Sequence, residues 1–231
     1  MFMPRTERIM STVGLVMLGL ALSILIPLPA FDFTIVLGTF QFPVHFSGTA
    51  QFMIVTLVLL CAGMDSVMRT YPQVRGRSIV HTAPFWVLPS LLTLTSVLLL
   101  VDLVWWGYWI IIIMLTGLIL SVVIVFQGQS ISPLDGGRRV ARLGLNVATY
   151  FTALVFYALV YELGLRSVLF GAGVCLASGA LALELLRDAE VHVARIWLYA
   201  GLCGASMGEL AWAISYWGLD ARIGGAMLLL A

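Results

Sequence analysis

Lysine is missing from all 231 residues, and only 10% of the chain is charged. Without lysine there is no Schiff-base site for retinal and no P-loop cation to reach a nucleotide's phosphates, so that pigment chemistry and ATP hydrolysis are both excluded. Histidine is nearly as scarce. His45, His81 and His192 lie in or beside expected loops, with no two on one helix face, so a haem held between two histidines has no ligands. The C-x-x-C-H and H-E-x-x-H patterns are absent as well, and no haem, flavin or metal cofactor is expected. Cys61, Cys175 and Cys203 fall on separate expected helices, which argues against a disulfide framework. Twelve arginines against 11 acids leave a net charge of +1, so no basic face exists for nucleic acid.

What the chain has in excess is apolar surface. Hydrophobic residues make up 61% of it, against about 45 to 50% in soluble domains. Charges are spaced to leave long neutral intervals, from Ile9 to Phe31, Phe33 to Met64, Ser78 to Val101, Leu103 to Leu134, Leu143 to Tyr161 and Ser167 to Leu183. A seventh, Ile196 to Leu219, is broken only by Glu209. A helix needs about 20 such residues to cross a hydrocarbon layer of about 30 Å. The expected fold is therefore all-α: one integral membrane domain over residues 1–231, a polytopic transmembrane helical bundle. Its spans fall near 9–26, 48–67, 84–101, 104–126, 143–161, 167–186 and 196–217. An eighth segment, 223–231, rises only about 13 Å and is incomplete, a half-helix or a truncated span.

Short arginine-rich loops stay on the cytoplasmic side. With a cytoplasmic N-terminus and seven crossings, ten arginines fall inside (Arg5, Arg8, Arg69, Arg75, Arg77, Arg138, Arg139, Arg142, Arg187, Arg195) and two, Arg166 and Arg222, outside. The first apolar run is too long for a signal peptide and has no small residue at the expected cleavage spacing, so it reads as a retained helix. Between spans 1 and 2 the pattern changes to alternation: Phe31, Phe33, Ile35 and Leu37 before Gly38-Thr39, then Phe40, Phe42 and Val44. That is the signature of a short β-hairpin-like loop on the outer side, where it anchors at the interface or docks a partner.

Asp135-Gly136-Gly137-Arg138-Arg139 looks like the opening of the CDP-alcohol phosphotransferase motif, but the alanine of that motif is arginine here and the following carboxylates are missing. It reads instead as a turn leading into a basic helix start. Trp105, Trp106 and Trp109, with Trp212, Tyr216 and Trp217, form an aromatic belt. A kink at Pro84 and Pro89 would open a groove. Asp65 precedes Arg69 by four residues and Glu184 precedes Arg187 by three, spacings that favour ion pairs on one helix face.

Glu209 is the one ionisable group deep in a span, and intramembrane carboxylates mark functional sites by default. Gly201, Gly204 and Gly208 lie beside it, and Gly171, Cys175 and Gly179 repeat at the same four-residue spacing one helix earlier. These residues form the candidate buried polar and packing site: small side chains let the two helices approach, with the Glu209 carboxyl held between them. Proton-coupled or small-solute transport through Glu209 is the alternative, with Tyr157, Thr149 or Asn146 as relay groups.

The run Ala194-Arg195-Ile196-Trp197-Leu198-Tyr199-Ala200, then Gly204 to Glu209, Trp212, Tyr216 and Trp217, carries a resemblance. Together with Phe85-Trp86-Val87-Leu88-Pro89 and Asp65 before Arg69, it resembles an uncharacterised family of multi-pass proteins, a domain of unknown function, from filamentous green phototrophic bacteria. The resemblance implies an accessory role in the bacterial inner (cell) membrane. It points to a cofactor-free, non-catalytic subunit of a larger assembly such as alternative complex III or a photosynthetic complex. The partners expected are membrane lipids and other integral membrane subunits.

Overall fold

A computed structural model describes residues 3–26, 28–37, 40–72, 74–76, 79–101, 105–131, 135–164, 167–187 and 193–216. The incomplete eighth segment at 223–231, Trp217 and the Gly38-Thr39 turn lie outside the described residues. Among the described residues, the chain runs α1 (Met3–Leu25), β1 (Phe31–Leu37), β2 (Phe40–Phe46), α2 (Gly48–Met68) and the single turn α3 (Ile79–Thr82). It continues through α4 (Pro84–Val101), α5 (Trp106–Ile131), α6 (Asp135–Glu162), α7 (Ser167–Leu186) and α8 (Val193–Ile214). Among the described residues, six helices are long and apolar enough to cross a membrane, the segments Thr6–Leu25, Gly48–Met68, Pro84–Val101, Trp106–Ile131, Gly137–Glu162 and Val168–Leu186. The protein is a multi-pass helical membrane protein. α8 has the length, at 22 residues, but Arg195 and Glu209 lower its apolar character.

Three boundaries differ by five residues or more from the charge-spacing expectation. α6 begins at Asp135, well before residue 143, α1 begins at Met3 where residue 9 is expected, and α5 runs on to Ile131. Hydrocarbon-crossing length is set by apolar residues, whereas a helix itself needs only satisfied backbone groups and a face to bury. The first turns of α6 supply that face: Ala141 and Leu145 are buried while Arg138, Arg139 and Val140 are exposed. At its other end α6 stops on Gly164, whose φ of +57° is open to glycine at little cost, and the Gly164 N–H donates to the Tyr161 carbonyl.

Between α1 and α2 the two strands pair antiparallel, with Phe31 opposite Phe46, Phe33 opposite Val44 and Leu37 opposite Phe40. α2 then starts on Ser47, whose hydroxyl accepts from the Ala50 N–H.

α4 is the hub, packed against α2, α5, α6 and α7. On one side of the α4–α5 pair lies a core with α1 and α2, built on Val16, Leu20, Leu60, Met64, Leu92 and Leu120. On the other side α6, α7 and α8 close over Leu88, Val123, Phe156, Phe170, Val174 and Ala211. Hydroxyls inside this apolar interior bond back to their own helices, as lipid requires: Thr95 to the Leu91 carbonyl, Ser96 to Leu92 and Thr116 to Ile112. The Ser96 and Thr116 hydroxyls also lie 2.8 Å apart, so one of their two protons is shared between its own helix carbonyl and the neighbouring hydroxyl, tying α4 to α5. Pro89 is accommodated inside α4, where the Thr93 hydroxyl donates to its carbonyl.

Candidate functional site

Two four-residue stripes meet between α7 and α8. A Cβ placed on Gly204 would lie 2.6 Å from the Cys175 carbonyl oxygen and 3.0 Å from the Gly179 Cα. One on Gly208 would lie 2.7 Å from the Cys175 Cβ and 3.0 Å from the Gly171 oxygen. The reverse holds too, since a Cβ on Gly171 would sit 3.1 Å from the Gly208 oxygen and one on Gly179 3.3 Å from that of Ala200. Only hydrogens separate the two backbones. At this range dispersion contacts and Cα–H···O interactions replace side-chain packing, the usual basis of helix association in lipid.

The structure does not bring Glu209 and Gly201 into this seam, which corrects the expectation of a carboxyl buried beside the glycines. One residue past Gly208 turns the side chain about 100° away from α7. Glu209 is exposed on the outer face of α8, and among the described residues it has no hydrogen bond or ion pair. Gly201, three residues before Gly204, is likewise exposed, and a Cβ there meets nothing within 4 Å. Four-residue spacing revealed that a close face exists, but adjacent residues on a helix point to different neighbours. The outer face therefore carries Gly201, Ala205 and Glu209 in line, flanked by Leu198, Leu202 and Trp212, all exposed. Trp212 meets Tyr216 edge-on at 5.7 Å at the end of that face.

A second polar cluster was only half legible. Glu184 and Arg187 pair at 3.1 Å, with side chains 3% and 11% exposed. The same guanidinium reaches beyond its helix: it donates to the Ser130 hydroxyl of α5 at 3.2 Å and lies over the Phe85 ring of α4, 4.2 Å from the centroid. The i,i+3 spacing could disclose the pair, but no local signal discloses contacts to residues 57 and 102 positions earlier. Asp65 and Arg69 also pair across one turn. His81 is exposed, and no group of three potential metal ligands occurs among the described residues.

Long apolar helices around a buried hub, with a glycine seam between α7 and α8, define a multi-pass membrane protein. A family model described as "Protein of unknown function (DUF5656)" matches residues 28–231, and the chain belongs to that family. No curated protein and no solved structure matches the chain.

Proposed function

We propose that the protein is a non-catalytic subunit of a larger membrane complex, joined to it through the outer face of α8. The observation that carries this reading is the position of Glu209. An acid at the centre of a spanning helix costs about 2.5–3.5 kcal/mol on insertion scales, and Glu209, about 8 Å short of the α8 end at Ile214, carries part of that cost. On the outside of the bundle that cost is relieved by another protein: a neighbouring transmembrane helix with a hydrogen-bond donor at the same depth, approaching closely over Gly201 and Ala205. A carrier would instead aim its coupling acid into the interior of the bundle, so the outward aspect favours a subunit over proton-coupled transport. An electron-transfer or photosynthetic assembly is the class that the family resemblance implies.

In this reading α8, about 33 Å long, is a seventh crossing, the N-terminus is cytoplasmic in a bacterial inner membrane, and the β1–β2 hairpin lies on the outer side. The ten-to-two arginine split supports that orientation. Reporter fusions after residues 75, 140 and 190 should report cytoplasm, and fusions after 40, 103 and 220 the outside; two or more reversals would overturn the crossing count.

Mild-detergent extraction tests the function itself. The wild-type protein is expected to migrate with other integral subunits, well above its own 25.2 kDa. Glu209→Gln, which keeps both donor and acceptor, should stay in that complex. Glu209→Leu should lose occupancy by about tenfold, the equivalent of one membrane hydrogen bond at the strong end of its range. Wild-type protein extracted alone would refute the subunit reading. So would a fully assembled Glu209→Gln variant that had lost a proton-coupled flux in proteoliposomes.

A further inference from the structure

α6 and α8 each pack on α7 but make little contact with each other, so a crevice runs between them with α7 as its floor. Its volume is about 210 Å³, and it is lined by Thr149 and Tyr157 of α6, Ser178 and Leu181 of α7, and Cys203 and Met207 of α8. Tyr150 and Cys203, both at its edge, are exposed, so the crevice opens sideways, toward lipid. Thr149, Ser178 and Cys203 sit eight or more residues inside their helices, away from the aqueous faces. We propose that this crevice binds a neutral, ring-headed lipid carrying a carbonyl oxygen, of the quinone class.

Hydrogen-bond accounting comes first. Tyr157 and Ser178 are 4% and 5% exposed, and their hydroxyls meet at 2.7 Å. Two hydroxyls have two protons to donate, and their mutual bond uses one. Neither hydroxyl makes a further hydrogen bond among the described residues, so one O–H remains to donate. The Thr149 hydroxyl has already given its proton to the Leu145 carbonyl at 2.8 Å. The crevice thus offers one buried O–H in search of an acceptor, in a mostly apolar wall whose other polar groups are the Thr149 hydroxyl, the exposed Tyr150 hydroxyl and the Cys203 thiol; a carbonyl oxygen is its complement.

Size and charge select the ligand further. A cavity of roughly 150 Å³ accommodates benzene. The 210 Å³ here takes a substituted six-membered ring, and the lateral opening lets an aliphatic tail lie among the lipids. No lining residue is an acid, arginine or histidine, so neither a phosphate nor an ammonium headgroup has a counter-charge. A bare acyl chain would leave the spare O–H without an acceptor, a penalty that a ring carbonyl removes.

Equilibrium dialysis of the full-length protein in detergent against a decyl-substituted benzoquinone tests the assignment. Saturable binding near one per chain is expected. Tyr157→Phe and Ser178→Ala each leave one hydroxyl able to donate and should weaken binding only a few-fold, whereas the double variant should lose at least tenfold. Cys203→Trp, at the exposed mouth, should block the crevice while leaving the thermal unfolding midpoint in place. Decylcyclohexane, with the same tail and no carbonyl, should not compete. Absent or non-saturable wild-type binding would overturn the assignment. Competition by decylcyclohexane equal to that by the quinone would do so too, as would unchanged affinity in a folded double variant or in Cys203→Trp.

Discussion

Valine at Gly204 should separate α7 from α8 and lower stability more than any other single glycine substitution in the seam. The added Cβ would press on the Cys175 carbonyl and on the Gly179 backbone, neither of which can swing aside as a side-chain tip can. Overpacking of a tight interior costs about 1–3 kcal/mol where side chains yield, and backbone on both sides places this case at about 3 kcal/mol. Gly208→Val, against Cys175 and Gly171, should follow closely. Gly201→Val is the internal control: it adds the same two branches to the same helix, in open space, and should leave the unfolding midpoint in detergent nearly unchanged. Equal losses at 201 and 204 would mean that valine harms α8 itself and that the seam contributes nothing special.

Removing the Arg187 guanidinium should rank with it. This group pairs with buried Glu184, bonds Ser130 and covers Phe85, so it links the end of α7 to α5 and α4. Breaking a buried pair from one side costs about 3–5 kcal/mol, because the remaining charge keeps its desolvation without that attraction. Arg187→Leu should therefore destabilise by about 3 kcal/mol or more, while Glu184→Gln with Arg187→Leu should recover part of the loss. Arg187→Lys keeps the charge but not the planar group over Phe85 or the second donor, and should fall between. A double variant no more stable than Arg187→Leu alone would show that the guanidinium acts through Ser130 and Phe85 and not through the carboxylate. Chemical unfolding of the wild type and the three variants in mixed micelles gives these values.

What could be read from the sequence was whatever depends on short separations. Asp65–Arg69 and Glu184–Arg187 pair as helical spacing dictates, because both partners sit on one rigid turn. The small-residue repeats Gly171, Cys175, Gly179 and Gly204, Gly208 could be matched because both follow the same four-residue ridge. Sidedness is harder. A helix in lipid is apolar all round, so periodicity hardly distinguishes the face turned to protein from the face turned to hydrocarbon. Hence the misplacement of Glu209 and Gly201, adjacent in sequence to seam residues yet turned out of the seam onto the exposed face of α8. The same reasoning explains why Tyr157 and Thr149 stood out only as polar residues within a span. Their pairing with Ser178 and the crevice depend on how far α6 and α8 stand apart over α7, which no local pattern encodes.

The lengths of the two helices at the centre have a mechanical consequence. α4 has 18 residues and α5 has 26, which at 1.5 Å each are about 27 Å and about 39 Å. Packed side by side in a hydrocarbon layer of about 30 Å, they cannot both stand upright and match it. α5 must lean or push its ends into the headgroups, and Trp105 and Trp106 at its start, about two-thirds exposed, are suited to that boundary. A thicker bilayer would draw α5 upright and a thinner one would lay it over, whereas the shorter α4 stays close to its full span. The α4–α5 contact at Ser96 and Thr116 thus joins two helices of unequal reach, so any change in bilayer thickness is felt first at the ends of α5 that extend past α4.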